Sequence, residues 1–200
     1  MKNTEASART LALALLAAAT PALLGGCAEA VVGGAVAGAA VVHDRRTPGT
    51  VIDDQLVELR WIHEYHKDET LKKQSHISAT SYNGVLLLTG EAPTEDLRAR
   101  AEAIARGLPK VRRVHNEIRI AAPSSLSARS SDALITAKVK TSLFKVKLED
   151  FDPTRVKVVT SNGTVYLMGL VTRQEAAAVV EQVRRVKGVQ RVVKVFEYIG

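Results

Sequence analysis

The sequence predicts an α+β protein: two tandem α-β-β-α-β units, each a three-stranded mixed sheet packed against two helices. Three observations predict it. The segment Ile77 to Gly90 aligns with Val156 to Gly169, so that Asn83-Gly84 falls on Asn162-Gly163, 79 residues later. Each Asn-Gly pair lies between β-branched and aliphatic runs, the strongest short-range hairpin signal, because a type I′ turn needs positive φ at both central residues. Each hairpin follows one helical pattern and precedes another, which runs into a Val-rich closing strand.

The chain opens with Met1-Lys2 and Arg9 as a basic segment, followed by Leu and Ala from Leu11 to Leu24 and the small residues Gly25-Gly26. This is the pattern of an export signal. The apolar run is shorter than the ~20 residues a membrane-spanning helix needs. Leu24-Gly25-Gly26-Cys27 resembles the bacterial lipobox, which implies cleavage before Cys27, the chain's single cysteine, and lipid on its sulfur and new amino end. Residues 1–26 are thus expected to be a signal peptide. Residues 27–49 are expected to be a lipidated cysteine and an Ala/Gly-rich tether, which could extend to about 70 Å.

The first unit is expected over residues 50–121. Its helix starts near Asp54, which stands where an N-cap would. After the hairpin, Leu97, Ala101, Ile104, Ala105 and Leu108 form one apolar stripe, and Val111 to Ile120 closes the unit. Residues 122–130, with Pro123 and several serines, read as a linker. The second unit, 131–200, repeats the order: Asp132 at a cap position, the hairpin, a capping box in Thr172 and Glu175, the stripe Ala176, Val179, Val180 and Val183, and the strand Val189 to Ile199.

Charge separates the units. The chain has 28 Lys+Arg and 21 Asp+Glu, net +7. Residues 50–121 hold 11 basic and 11 acidic residues, whereas 124–200 hold 13 and 7. The excess in one unit points to an anionic partner for that unit. Export argues against nucleic acid and for anionic lipid head groups. One cysteine excludes an internal disulfide framework.

The duplicated hairpins, each closing on Leu-x-Gly (Leu88 to Gly90, Leu167 to Gly169), and the closing strands (Val111-Arg-Arg-Val114, Val189-Gln-Arg-Val192) resemble the BON domain. Two such units behind a lipobox are similar to the dual BON-domain outer-membrane lipoproteins. The resemblance implies a non-enzymatic lipoprotein at the periplasmic face of the outer membrane, with Ala28 after Cys27 suiting that destination. It implies binding of anionic phospholipid and support of envelope integrity, with the first helix of the second unit meeting the lipid.

That helix can be laid out at 100° per residue. Ile135, Val139, Leu143 and Val146, with Ser142, form the face expected to pack on the sheet. The opposite face holds Leu134, Ala137, Thr141 and Phe144, with Lys138 and Lys145 on one edge and Lys140 and Lys147 on the other. Apolar groups between two lysine rows suit a head-group boundary, where methylene stems snorkel and ammonium groups meet phosphates. The first unit has Leu56, Leu59, His63 and His66 at the matching positions, without the two-sided lysine rim. A further basic run, Arg184-Arg185-Lys187, ends the second unit's other helix.

No catalytic constellation is legible. His63-Glu64-Tyr65-His66 has the wrong spacing for a zincin helix and no converging third ligand, so no metal or other cofactor is expected. Trp61 matches Val139 and reads as core. No nucleophile elbow, P-loop or dinucleotide fingerprint occurs. The alternative function is a periplasmic scaffold that binds another envelope protein, such as the machinery assembling outer-membrane proteins.

Overall fold

The computed structural model describes residues 44–200, so Cys27 and most of the expected tether lie outside the described residues. The first unit runs α1 (Pro48–Lys67), α2 (Glu69–Gln74), β1 (His76–Tyr82), β2 (Val85–Ala92), α3 (Glu95–Gly107) and β3 (Arg113–Ile120). The second runs α4 (Leu126–Leu143), a single 3-10 turn (Pro153–Arg155), β4 (Lys157–Ser161), β5 (Thr164–Val171), α5 (Arg173–Val183) and β6 (Arg191–Tyr198). Each sheet has its middle strand antiparallel to the first and parallel to the third, in the orders β1-β2-β3 and β4-β5-β6. The parallel pairing requires a crossover, and α3 and α5 supply it. Two α+β units of the expected topology are therefore present.

The hairpin turns form where Asn-Gly stands. Asn83 and Gly84 have φ of 52° and 71°, Asn162 and Gly163 φ of 49° and 69°. What holds those turns differs from the capping role expected of Asp54 and Asp132. Thr47 and Ser125 cap α1 and α4, and Pro48 enters the first turn of α1, so both helices begin earlier. α4 thereby takes in part of the segment read as a linker. Asp54 and Asp132 lie inside the helices and reach across to the hairpins. Asp54 accepts from the Asn83 and Gly84 amides at 2.7 and 2.9 Å. Asp132 accepts from those of Asn162 and Gly163 at 2.8 and 2.9 Å. Turn amides that no strand can pair are thus satisfied by one carboxylate, and each opening helix is fixed to its hairpin.

In each unit the opening helix and the crossover helix pack on one face of the sheet, and in the first unit the short α2, absent from the expected order, adds Leu71 to the same core. In the first unit Val57, Trp61 and Tyr65 of α1 and Leu97, Ala101 and Ala105 of α3 meet Leu86, Leu88 and Ile118. Trp61 is 2% exposed. In the second, Ile135, Val139 and Leu143 of α4 and Ala176, Val179 and Val183 of α5 meet Val165 and Leu167. The capping box of Thr172 and Glu175 is formed. The other sheet faces form a third core shared by both units, built from Tyr82, Val85 and Leu87 against Tyr166, Met168 and Val195. The arrangement is therefore helices, sheet, sheet, helices.

Polar contacts rim this seam. Glu197 accepts from Asn83 Nδ2 at 2.6 Å and pairs with Arg112 at 2.7 Å, while Lys157 donates to Glu58 at 2.8 Å. Glu91, 2% exposed, accepts from Asn162 Nδ2 and from the Ser124 amide. The chain just before α1 joins both units. Arg46 lies 3.9 Å from the centre of the Tyr82 ring and pairs with Asp44 and Asp54. Arg45 makes a two-pronged contact with Glu175 at 2.7 and 2.9 Å and donates to the Leu170 carbonyl. Burial opposes ionisation of Glu175, but hydrogen bonds from Arg45 and Thr172 outweigh it and hold the carboxyl below its ordinary range.

Two predictions follow from this packing. Gly90 has φ of 115°, and a Cβ there would lie 2.0 Å from the His76 carbonyl oxygen across the hairpin. Gly90→Ala should cost at least about 2 kcal/mol in urea unfolding, from left-handed backbone strain and displaced β1 pairing; an unchanged midpoint would contradict the register. The Arg45–Glu175 pair should impart acid sensitivity. Because the folded carboxyl titrates lower than the unfolded one, its contribution is complete above about pH 4.3 and is lost as pH falls through the depressed value. Arg45→Ala should lower thermal stability at neutral pH, with the difference from wild type shrinking below pH 4; a pH-independent difference would contradict it.

Candidate functional site

The lysine-rimmed face predicted on the second unit is built on α4 and the turn that follows it. Sheet packing takes one side of the helix: Ile135, Val139, Ser142 and Leu143 are buried. The third core takes the opposite face of the sheet, so the first unit does not lie over the outer side of α4. Leu134 is 62% exposed and Phe144 73% exposed, and Ala137, Lys138, Lys140, Thr141, Lys145 and Lys147 are all exposed.

The helix ends sooner than the 100° layout assumed. Its last residue is Leu143, and Phe144 is the C-cap with φ −66° and ψ −11°. These are helical dihedrals, so Phe144 still continues the Leu134, Ala137, Thr141 line. Beyond it the chain tightens: Lys145 N–H donates to the Ser142 carbonyl at 2.9 Å and Val146 N–H to that of Leu143 at 3.1 Å. These i to i−3 bonds are the ordinary tightened last turn. Lys145 and Lys147 therefore project from a turn and the following loop rather than from the helix. Cations at this end also meet the negative end of the α4 dipole. The Thr141 hydroxyl donates to the Ala137 carbonyl at 3.0 Å, so its polar group is engaged by its own helix.

Two concave regions border the stripe. One, of about 440 Å³, lies at the seam and is lined by Lys140, Phe144, Lys157, Arg46 and Tyr82 among others. Its cations are largely matched, Arg46 by Asp44 and Asp54, Lys157 by Glu58. The other, of about 490 Å³, lies between α4 and the end of α5 and is lined by Lys138, Thr141, Lys145, Gln182 and Arg185 among others. Arg185, from the basic run at the end of α5, thus comes beside the lysine edge of α4. Reading each helix as a separate wheel does not bring these residues together, since their adjacency depends on packing through Val139 and Val183.

The first unit's outer face is more apolar than its sequence suggested. Besides Leu56 and Leu59, α1 exposes Ile52 and Ile62, each at least half accessible. His63 and His66 are exposed as well, and His66 Nδ1 lies 2.7 Å from the Ile62 carbonyl. The i, i+4, i+7 spacing of Ile52, Leu56 and Leu59 was a signal for this face, hidden because the helix was expected to start at Asp54. Among the described residues no three His, Cys, Asp or Glu side chains gather as a metal site would require. None of the described helices is long and apolar enough to cross a membrane.

Comparison with known proteins agrees with this architecture. The model of the BON domain matches residues 62–122 and 131–200. The chain is 38% identical over 190 residues to outer membrane lipoprotein DolP of Haemophilus influenzae, covering 94% of this chain and 95% of that protein. It is 36% identical over 156 residues to a protein named 21 kDa hemolysin from Actinobacillus pleuropneumoniae, covering 78% of this chain and 79% of that one.

Proposed function

The chain belongs to the family of DolP-like, dual BON-domain lipoproteins of the outer membrane, and on that premise we propose that its second unit binds anionic phospholipid surfaces. The protein is held at the periplasmic face by lipid on Cys27, and contact through α4 supports envelope integrity without catalysis. One observation carries this reading: the line Leu134, Ala137, Thr141 and Phe144 is uncovered and has exposed lysines along both edges.

The energetics suit a reversible contact. Each basic residue close to an anionic surface contributes about 1 kcal/mol. Insertion of the Phe144 ring and the Leu134 side chain adds roughly 1.5–3 kcal/mol each when fully withdrawn from water. Together these exceed what either charge or apolar area supplies alone, yet fall short of an anchor. Stable attachment rests on the acyl chains, at about 0.8 kcal/mol per buried methylene. The net +6 of residues 124–200 against zero for 50–121 favours the second unit over the first.

A scaffold role is the second reading, and the outward Ile52, Leu56, Leu59 and Ile62 of α1 favour it. That face lacks lysines on both edges and suits an apolar protein surface better than a charged bilayer.

Vesicle sedimentation with the anchor-free chain 28–200 tests the primary reading. The wild type should bind phosphatidylcholine vesicles containing phosphatidylglycerol, more weakly as salt rises, and should not bind phosphatidylcholine alone. Phe144→Asp should abolish binding while leaving the unfolding midpoint unchanged, since the ring is outside every core. A folded Phe144→Asp protein that binds as wild type would overturn the α4 contact. For the anchor, Cys27→Ala should release the protein from the outer-membrane fraction or leave its signal uncleaved. Firm outer-membrane retention of the mutant would contradict lipidation.

A further inference from the structure

We propose that the groove between α4 and the end of α5 is a head-group site, one that takes the phosphodiester of an anionic phospholipid. The proposal rests on the membrane reading above and extends it to α5, a helix that the stripe does not include.

Charge complementarity selects this groove over the cavity at the seam. Two of the three cations lining the seam cavity, Lys140 being the third, already face carboxylates of the protein: Arg46 lies between Asp44 and Asp54 and Lys157 against Glu58. An anion entering there would compete with pairs already made. In the α4–α5 groove, Lys138 and Lys145 have no ion-pair partner among the described residues, and no carboxylate lines the space. Arg185 is partly matched by Glu181, but that carboxylate is also engaged by Arg184 at 2.7 Å. Three cations line this groove, Lys138, Lys145 and Arg185, and Glu181 is the one carboxylate paired with any of them among the described residues. The C-terminal ends of α4 and α5 both point here. Such an end favours a cation by about 0.3–1 kcal/mol, which accounts for one basic residue at each helix end and not for the third.

The geometry fits a head group rather than a diffuse ionic cloud. Two cations come from α4 and its turn and one from beyond α5, with the Gln182 amide between them, so that donors converge from two elements. A volume of about 490 Å³ accommodates a phosphoglycerol group. The groove lies beside Thr141, on the stripe that ends in Phe144. A phosphate held by Lys138, Lys145 and Arg185 would therefore direct its acyl chains along Leu134 and Phe144. Arg adds planar, two-pronged donation to phosphate that the lysines do not.

The test uses the anchor-free chain 28–200 and compares three variants. Lys138→Gln with Arg185→Gln removes two groove cations; Arg173→Gln with Lys194→Gln removes two exposed cations of the same unit elsewhere; Phe144→Asp reports on the stripe. The groove pair should weaken sedimentation with phosphatidylglycerol-containing vesicles about thirtyfold, and the control pair less than threefold. Soluble glycerophosphoglycerol should shift amide resonances of residues 137–145 and 182–186 in the wild type and not in the groove variant, with inorganic phosphate much weaker. Equal losses in the two charge variants would overturn the groove in favour of undirected attraction. Groove variants that bind as wild type while Phe144→Asp does not would overturn the groove and leave the stripe standing. If all three bind as wild type, the groove and the membrane reading fall together. Equally strong shifts with inorganic phosphate would reassign the site to free phosphate.

Discussion

A three-stranded sheet with both helices on one face leaves its other face bare, and in this protein the two bare faces cover each other. Tyr82, Val85 and Leu87 meet Tyr166, Met168 and Val195, forming a core that belongs to neither unit alone. The rest of the structure depends on this contact. Aromatic side chains of this size bury about 150–250 Å² each. Exposed, Tyr82 and Tyr166 would sit in an apolar patch that soluble domains of this size rarely tolerate. The sheet contact also decides which surfaces remain. With sheets inside, the helices form the outer layers, and no other described element covers the outward side of α4.

The position of α4 is set from two directions. Val139 and Leu143 drive it onto the sheet, and Asp132 ties its second turn to the Asn162-Gly163 hairpin. Asp54 does the same for α1. A carboxylate that satisfies two turn amides is costly to remove, because both N–H donors lose their acceptor. The lysine-rimmed stripe is therefore presented on a helix held at both its core face and its start, which suits a docking surface that needs no rearrangement. Arg45 and Arg46, just before α1, hold Glu175 and Asp54 in turn, so the chain enters α1 at the seam between the units.

Much of this was legible in the sequence, and the failures have physical causes. The duplication, the Asn-Gly turns and the apolar stripes of α3 and α5 are local patterns, and local patterns survive in one dimension. So did the outward face of α4, because Ile135, Val139 and Leu143 define the inward one. An aspartate before an apolar run usually caps a helix, and that is the role the sequence alone suggests for Asp54 and Asp132. Their true partners are 29 and 30 residues away and invisible to a cap search. Earlier helix starts through Thr47 and Ser125 concealed Ile52 and the apolar outer face of α1. The shared core had a signal in Val85-Leu86-Leu87-Leu88: an unbroken apolar run instead of alternation marks a strand buried on both faces. What covers the second face cannot be read from one strand, since any apolar sheet would serve. The meeting of Lys138 with Arg185 is likewise a product of helix packing.

We propose that sheet-to-sheet burial leaves α4 and the turn after it as the membrane-facing surface. Hydrogen exchange on the chain 28–200, free and bound to phosphatidylglycerol-containing vesicles, tests it most directly. Exchange should be slow in β2 and β5 in both states, with vesicle-dependent protection confined to residues 137–147 and 182–187. Protection appearing instead along α1, or fast exchange in β2 and β5 once vesicles are added, would contradict it.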